Sequence, residues 1–440
     1  MKRSLSVALV AALALAGCGV FKGDKKPRTP TVGERLPVLS FDAIVAADPA
    51  LANVEVVLPP PVANADWGQP GGNASKSLSH LEVGKGLTKA WSISIGAGST
   101  GIGKLNAGPV VSDGRLFTMD TQANVRAFDA KSGASLWQVR IDAKGEKRAL
   151  AFGGGVSVAD GRVYVATGYG VAAALDAKSG SQIWRMAGTT PLRGAPTVEG
   201  NRMFVMTQDN QMFALSADKG ERLWDSTGTV EVAGLLSIGS PAVGQDTVVV
   251  GFSSGELSAL RVENGRPVWQ DALARTGRST ALAALADIDA SPVIDKGRVF
   301  AVGHGGRMAA LDLATGQRVW EQTVAGVATP WVAGDYVYVV TLNGELMCLN
   351  RSDGKIRWLT QMARWEHPKK KKGAISWNGP ILASDRLILV GSNGQMVAMS
   401  PYTGGLLAQV KLATRAFVAP AVAAGTLYVL TDDGKLTAYR

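Results

Sequence analysis

The sequence predicts an all-β protein: an eight-bladed β-propeller of four-stranded antiparallel blades, closed by an N-terminal strand that completes the last blade. Three observations predict it. A turn followed four residues after its glycine by tryptophan recurs along the chain. Each copy is preceded by the same pair of short apolar runs. The last unit stops one strand short, and an unmatched strand stands before the first. Sequence repeats with periods of about 20–50 residues mark solenoids and propellers.

The chain opens with Lys2 and Arg3, then an apolar stretch from Leu5 to Ala16 that ends in small residues before Cys18. A basic start, a short apolar region and a small-residue boundary make a secretory signal, too short to span a bilayer stably. Leu15-Ala16-Gly17-Cys18 resembles the bacterial lipobox, in which the cysteine is diacylated through sulfur, cut free and N-acylated. Residues 1–17 are therefore expected to be a lipoprotein signal peptide, with lipidation at Cys18. Several acyl chains on one residue anchor stably, at ~0.8 kcal/mol per buried methylene. Gly19 follows Cys18, in place of the aspartate associated with inner-membrane retention in enteric bacteria. The resemblance thus implies the periplasmic face of the outer membrane.

Residues 18–35 hold Lys22, Lys25, Lys26, Pro27, Arg28, Pro30 and Gly33, and read as the lipidated N-terminus and a flexible tether. Residues 36–86 read as an extended N-terminal segment. Apolar residues return from Leu36 to Leu58, followed by Pro59-Pro60-Pro61 and Trp67-Gly68-Gln69-Pro70-Gly71-Gly72. This segment has no clear periodicity and is expected to lie against a folded body, with Trp67 as its anchor.

Residues 87–440 carry the propeller. Ala127-Phe128-Asp129 through Gly133 to Trp137 returns at Ala174 to Trp184 and at Ala310 to Trp320. Looser copies run Ala214 to Trp224, Ala259 to Trp269 and Cys348 to Trp358; a seventh, at Ala398, has Ala408 where tryptophan belongs. Upstream of each lies a proline or small residue with alternating apolar residues, a polar turn and another apolar run. Such starts fall at Pro109, Gly155, Pro196, Pro241, Pro292, Pro330, Pro380 and Pro420. Alternation and glycine-rich turns argue strands over helices. In the turns, aspartate bonds back to following amides and glycine accepts positive φ. The 354 residues of this region give about 44 per unit, a normal blade length. Leu87 to Ile95 is the unmatched strand, expected to complete the blade that begins at Ala419-Pro420 and to remove its open edge. Trp91, Trp137, Trp184, Trp224, Trp269, Trp320 and Trp358 then share one structural position, that of docking between blades.

Composition fits this reading. Glycine contributes 53 of 440 residues and tryptophan 11; seven of those tryptophans fall on the docking position. At 46% hydrophobic residues the chain is too apolar for disorder, and two cysteines cannot build a disulfide scaffold. Three scattered histidines argue against a zinc or haem site. The formal charge of +10 loses Lys2 and Arg3 with the signal, and four of the remaining positives are Lys369-Lys370-Lys371-Lys372. That local run reads as a solvated loop tip, with contact to an acidic partner or membrane surface as the functional alternative; nucleic acid is not expected.

Ala-x-Asp-x-x-[Thr/Ser]-Gly-x-x-x-Trp, matched in full at 127–137, is similar to the docking motif of the pyrroloquinoline-quinone (PQQ) repeat family. With the lipobox, eight units and closing strand, the whole arrangement resembles the BamB family of outer-membrane assembly lipoproteins. Leu285-Ala286-Asp287-Ile288-Asp289-Ala290-Ser291-Pro292-Val293 resembles that family's Leu-x-Asp-[Val/Ile]-Asp-x-x-Pro-Val loop. The resemblance implies a non-enzymatic scaffold without cofactor. It would bind the periplasmic domains of BamA, the barrel-forming subunit, to orient them or to present unfolded outer-membrane protein substrates. Implied contacts are Leu285, Asp287 and Asp289 in one loop, and Leu235 and Leu236 in the 233–241 loop. Leu236 stands where the family has arginine, and a Leu192-Arg193-Gly194 triplet lies one blade earlier, out of register. Segments 270–291 and 359–379 are each about twenty residues, well above the usual 2–6. Loops held by a rigid scaffold carry function. Asp287 and Asp289, two apart, share a face if the segment is extended. The bland reading is a solvated acidic pair or an Asx turn before Pro292.

The rival class is a PQQ-dependent dehydrogenase, which needs calcium ligands, a catalytic aspartate and usually an adjacent cysteine pair. Cys348 lies in the strand Met347-Cys348-Leu349 and reads as a small buried hydrophobe, while Asp129, Asp176 and Asp312 belong to turns. Gly153-Gly154-Gly155 and Gly303-His304-Gly305-Gly306 lack the Gly-Lys-[Ser/Thr] ending of a phosphate cradle and read as β turns. His80, His304 and His367 have no triad or ligand partner at recognisable spacing.

Overall fold

The computed structural model describes residues 45–101, 103–141, 152–188, 190–229, 239–274 and 286–440. Cys18, Leu235, Leu236 and Leu285 lie outside the described residues, as do the signal and tether. The described chain folds into eight four-stranded antiparallel sheets and one two-stranded hairpin. The innermost strands of blades 1–8 are Val110–Ser112, Gly154–Ala159, Leu192–Glu199, Ala242–Gly244, Val293–Asp295, Trp331–Ala333, Trp377–Ala383 and Ala421–Ala423. Successive strands step outward in chain order. The two middle strands of each blade are nearly all buried, whereas the outer ones alternate between exposed and covered residues. Burial on both faces explains why those middle strands read as unbroken apolar runs.

Closure is as expected. Lys89–Ser94 pairs antiparallel with Lys435–Tyr439 as the outer strand of blade 8, matching Trp91 to Ala438 and Ile93 to Leu436. In all seven docking positions the tryptophan is paired with a small residue on the third strand: Ala127, Ala174, Ala214, Ala259, Ala310, Cys348 or Ala438. Each indole then lies across the turn of the following blade. Trp320 Nε1 donates to the Arg351 carbonyl at 2.9 Å, and Trp137 Nε1 donates to Ala177 at 3.1 Å. The turn glycine is required twice over. Gly354 has φ of +71°, and a Cβ on it would lie 2.6 Å from the Trp320 ring.

Ala408 breaks the pattern for a topological reason. It pairs with Ala398, so it holds the docking position of blade 7. In blade 8 the fourth strand is Lys89–Ser94, more than 300 residues before the third, so no tight turn joins the two. An indole there would have no turn glycine to cover.

The N-terminal segment is more ordered than its sequence suggests. From Val62 to Gly84 it makes a circuit of the ring, touching the inner strand of every blade. Trp67 bonds reciprocally with Val111 of blade 1, and Gly68 accepts from Val158 of blade 2. The Gln69 amide donates to the Val198 carbonyl and accepts from its N–H in blade 3. Ala74 accepts from Val243 and Ser75 from Ile294, in blades 4 and 5. Ser79 takes the Trp331 indole N–H of blade 6, and Leu81 pairs with Leu382 and Ser384 of blade 7. Asn64 accepts from Ala424, and its side chain donates to Val422, in blade 8. Trp67 is 3% exposed and stacks on Trp331 with ring centroids 6.3 Å apart, so its expected anchoring role holds. The segment thereby satisfies inner-strand groups that would otherwise end in the channel. His80 belongs to this strap: its Nδ1 donates to the Pro59 carbonyl and its Nε2 accepts from the Asp385 N–H.

The 359–379 segment, expected as a long connection with its lysines at a solvated loop tip, carries the hairpin Trp365–His367 and Lys372–Ala374. Its lysine run therefore sits on a defined turn.

Candidate functional site

The outer strand of each blade and the inner strand of the next approach one another at the same end of the propeller. The described ends of the 228–241 and 273–292 connections pack together there. Ser240 N donates to Ser291 Oγ at 3.0 Å, and a Cβ on Gly239 would lie 2.7 Å from the Asp289 carbonyl oxygen. Any side chain at 239 would force the two loops apart. Ile288 fixes the second loop from below: its N–H donates to the Phe252 carbonyl, and its side chain fills the space above Gly251.

The two acids of this loop do not form a solvated pair. Asp287 is fully buried, and its carbonyl accepts from the His304 N–H at 2.8 Å. Asp289 is half-buried. Both carboxylates act electrostatically on Arg193, which reaches across from the inner strand of blade 3. Arg193 is 2% exposed and its Nη2 donates to the Gly251 carbonyl at 2.7 Å. Burial lowers its pKa to about 10, opposed by Asp289 and Asp287, so it remains a cation at neutral pH. Arg193 belongs to the Leu192-Arg193-Gly194 triplet, on the inner strand of blade 3. Its backbone pairs with Met206 in blade 3, and the strand shifts register just after it, between Arg193 and Thr197.

Asp289 also lines a cavity of about 140 Å³ in the channel, together with Asn106, Phe417, Trp67 and Trp331. Lys76 of the strap lines it as well. That lysine is 1% exposed, with Nζ donating to Thr197 Oγ1 at 3.1 Å, and burial lowers its pKa to about 7. Nothing in the sequence around Lys76 marks it as buried, because the strap has no periodicity. Arg193 did leave a trace, in the displaced Leu-Arg-Gly triplet.

The groups a redox enzyme would need are differently employed. Side-chain hydrogen bonds from Ser132, Ser179 and Thr315 hold the Asp129, Asp176 and Asp312 carboxyls below their ordinary range, in exposed turns. Burial pushes the Cys348 thiol far up, away from the thiolate. Among the described residues no group of three or more His, Cys, Asp or Glu could hold a metal ion.

The family profile described as outer membrane protein assembly factor BamB matches residues 84–148, 121–360 and 362–440. The chain belongs to the BamB family. Within that family it is 33% identical to the outer membrane protein assembly factor BamB of Shigella dysenteriae, over 79% of this chain and 87% of that protein. A match to the Legionella pneumophila member, at 30% identity, spans 49% of that protein. Among solved structures, BamB from Moraxella catarrhalis superposes with a TM-score of 0.68 at 19% identity, covering 80% of this chain and 99% of that one. A europium-containing methanol dehydrogenase superposes with a TM-score of 0.66 at 16% identity, covering 83% and 90%. At such identities the superpositions speak for the fold alone. Family membership rests on the sequence matches.

Proposed function

We propose that the protein is a non-catalytic scaffold of the β-barrel assembly machinery, anchored through Cys18 to the periplasmic face of the outer membrane. It docks the periplasmic domains of BamA and so assists assembly and insertion of outer-membrane proteins. The docking site is the rim formed by the 228–241 and 273–292 loops, with Leu235, Leu236, Leu285, Asp287 and Asp289 as its contact residues. One observation carries this reading: the two loops pack against each other over a buried arginine that faces both acids, an arrangement held ready before a partner arrives.

In this arrangement Asp289 is the acid within reach of a partner, and Asp287 is a positioning residue that keeps Arg193 in place. Affinity capture tests the site. The Asp287→Ala/Asp289→Ala variant should lose BamA, and Asp289→Ala alone should weaken recovery while leaving the thermal transition unchanged. Unchanged recovery by both would sink the site, and no BamA with the unaltered chain would sink the function. Cys18→Ala should move the protein from the membrane fraction to the soluble one. Stoichiometric binding of PQQ with calcium would replace this reading with a quinoprotein enzyme.

A further inference from the structure

The hairpin between blades 6 and 7 has no packing reason to exist. Every residue from 366 to 374 is exposed, so its tip buries nothing against the propeller. It is nonetheless well held. Trp365 pairs with Ala374 and His367 with Lys372; Ile375 N donates to the Arg364 carbonyl at 2.9 Å. Trp377 Nε1 pins its base by donating to Ala363 at 2.8 Å. The turn is a single 3₁₀ stretch, Pro368–Lys370, followed by Lys371 at φ 47°, which splays the four lysines around the tip.

The charge of this element is one-sided. Lys369, Lys370, Lys371 and Lys372 form no ion pairs among the described residues. The one nearby carboxylate, Glu366, is engaged by Arg415 at 3.4 Å, and the Arg364 guanidinium lies 5.2 Å from the centre of the Trp365 ring. Holding four like charges together costs energy in the absence of an anionic partner.

The chemistry of the tip selects the kind of partner. Lysine is a hydrated point charge and is depleted in protein interface cores, where aromatic residues and arginine dominate. The tip itself, residues 368–372, offers neither, nor an apolar anchor; Arg364 and the half-buried Trp365 stand at the base of the hairpin. It lacks the stacking aromatics by which single-stranded nucleic acid is held. What suits it is a dense, laterally mobile field of single negative charges.

We propose that this hairpin is a membrane-contact element, laying Lys369–Lys372 on the anionic phosphate headgroups of the leaflet to which the chain is tethered. The lipid source rests on the anchored reading above, but the contact itself does not depend on BamA. The hairpin emerges at the same end of the ring as the docking rim, two blade joints further round, so both contacts fit on one molecule.

The test uses residues 45–440, which form one compact unit with all eight blades closed and carry neither signal nor anchor. Co-sedimentation is measured with vesicles of phosphatidylglycerol and phosphatidylethanolamine, and with neutral phosphatidylcholine vesicles, at low and high salt. Each lysine near an anionic surface strengthens partition about fivefold. Replacing all four by glutamine should therefore weaken binding to anionic vesicles by at least about 100-fold. Replacement by arginine should preserve it, and high salt should abolish it. The glutamine variant should still recover BamA, which separates this contact from the docking rim. Equal partition of the glutamine and unaltered chains would overturn the proposal. So would equal binding to neutral vesicles, or lysine-dependent capture of an acidic protein without vesicle binding.

Discussion

Lys76 shows how far a single side chain can depart from its ordinary chemistry when a backbone circuit seals it in. Its side chain is buried and Thr197 is its one side-chain hydrogen-bond partner among the described residues, so burial lowers its pKa from 10.5 to about 7. The unfolded chain keeps that proton up to about 10.5 and the folded one only up to about 7. Between those values unfolding takes up a proton, and stability rises with pH. The full swing is on the order of 5 kcal/mol. Lys76→Met should flatten the slope of unfolding free energy between pH 7 and 10 and stabilise the protein at pH 7; an unchanged slope in urea titrations would place the effect elsewhere. Arg193 makes the complementary point. Its burial is accompanied by two carboxylates acting on it and a carbonyl that accepts from it. Neither residue's burial was legible by type or periodicity. The acids were found through their loop pattern, but that pattern says nothing of which way they point.

At the scale of the element, the recurring turn and the tryptophan form one device spanning two blades. The indole covers the next blade's turn glycine, donates to a carbonyl two or three residues before it, and in most blades tilts against an aromatic ring on the second strand. Trp320, for example, lies 6.1 Å from the Phe300 ring. Trp320→Ala removes all of this and should cost about 3–5 kcal/mol. Ala408→Trp should give no comparable gain, since blade 8 offers no turn to receive it. Thermal unfolding of the two variants decides the matter: equal and opposite shifts would show that the indole needs no receiving turn. This device was readable because both halves lie in one short motif. The gap at Ala408 was visible too, but its cause lies in where the chain closes.

The whole molecule is a ring closed twice, once by Lys89–Ser94 in blade 8 and once by the strap that runs past all eight inner strands. Both closures join residues more than 300 positions apart, as in the Trp91–Ala438 pair and the Ser384 bond to Leu81. A chain beginning at residue 97 would lose both, exposing the edge of Lys435–Tyr439 and the inner-strand groups that the strap satisfies. It should unfold at lower temperature and self-associate, because an open strand edge pairs with another chain. Light scattering after size-exclusion chromatography checks this; a monomer of unchanged thermal stability would mean the other seven blades hold the ring alone.

The sequence by itself determined the strands, the turns, the number of blades, the docking position of seven tryptophans and the closing strand. These are local patterns of period and turn chemistry, repeated until chance is excluded. Only the tertiary structure decided that the strap circles the ring, that Arg193 is buried facing both acids, that Asp287 is buried, and that the lysine run crowns a hairpin. Each of those depends on which distant residues meet at the axis or rim, and non-repeating segments carry no period from which that can be read.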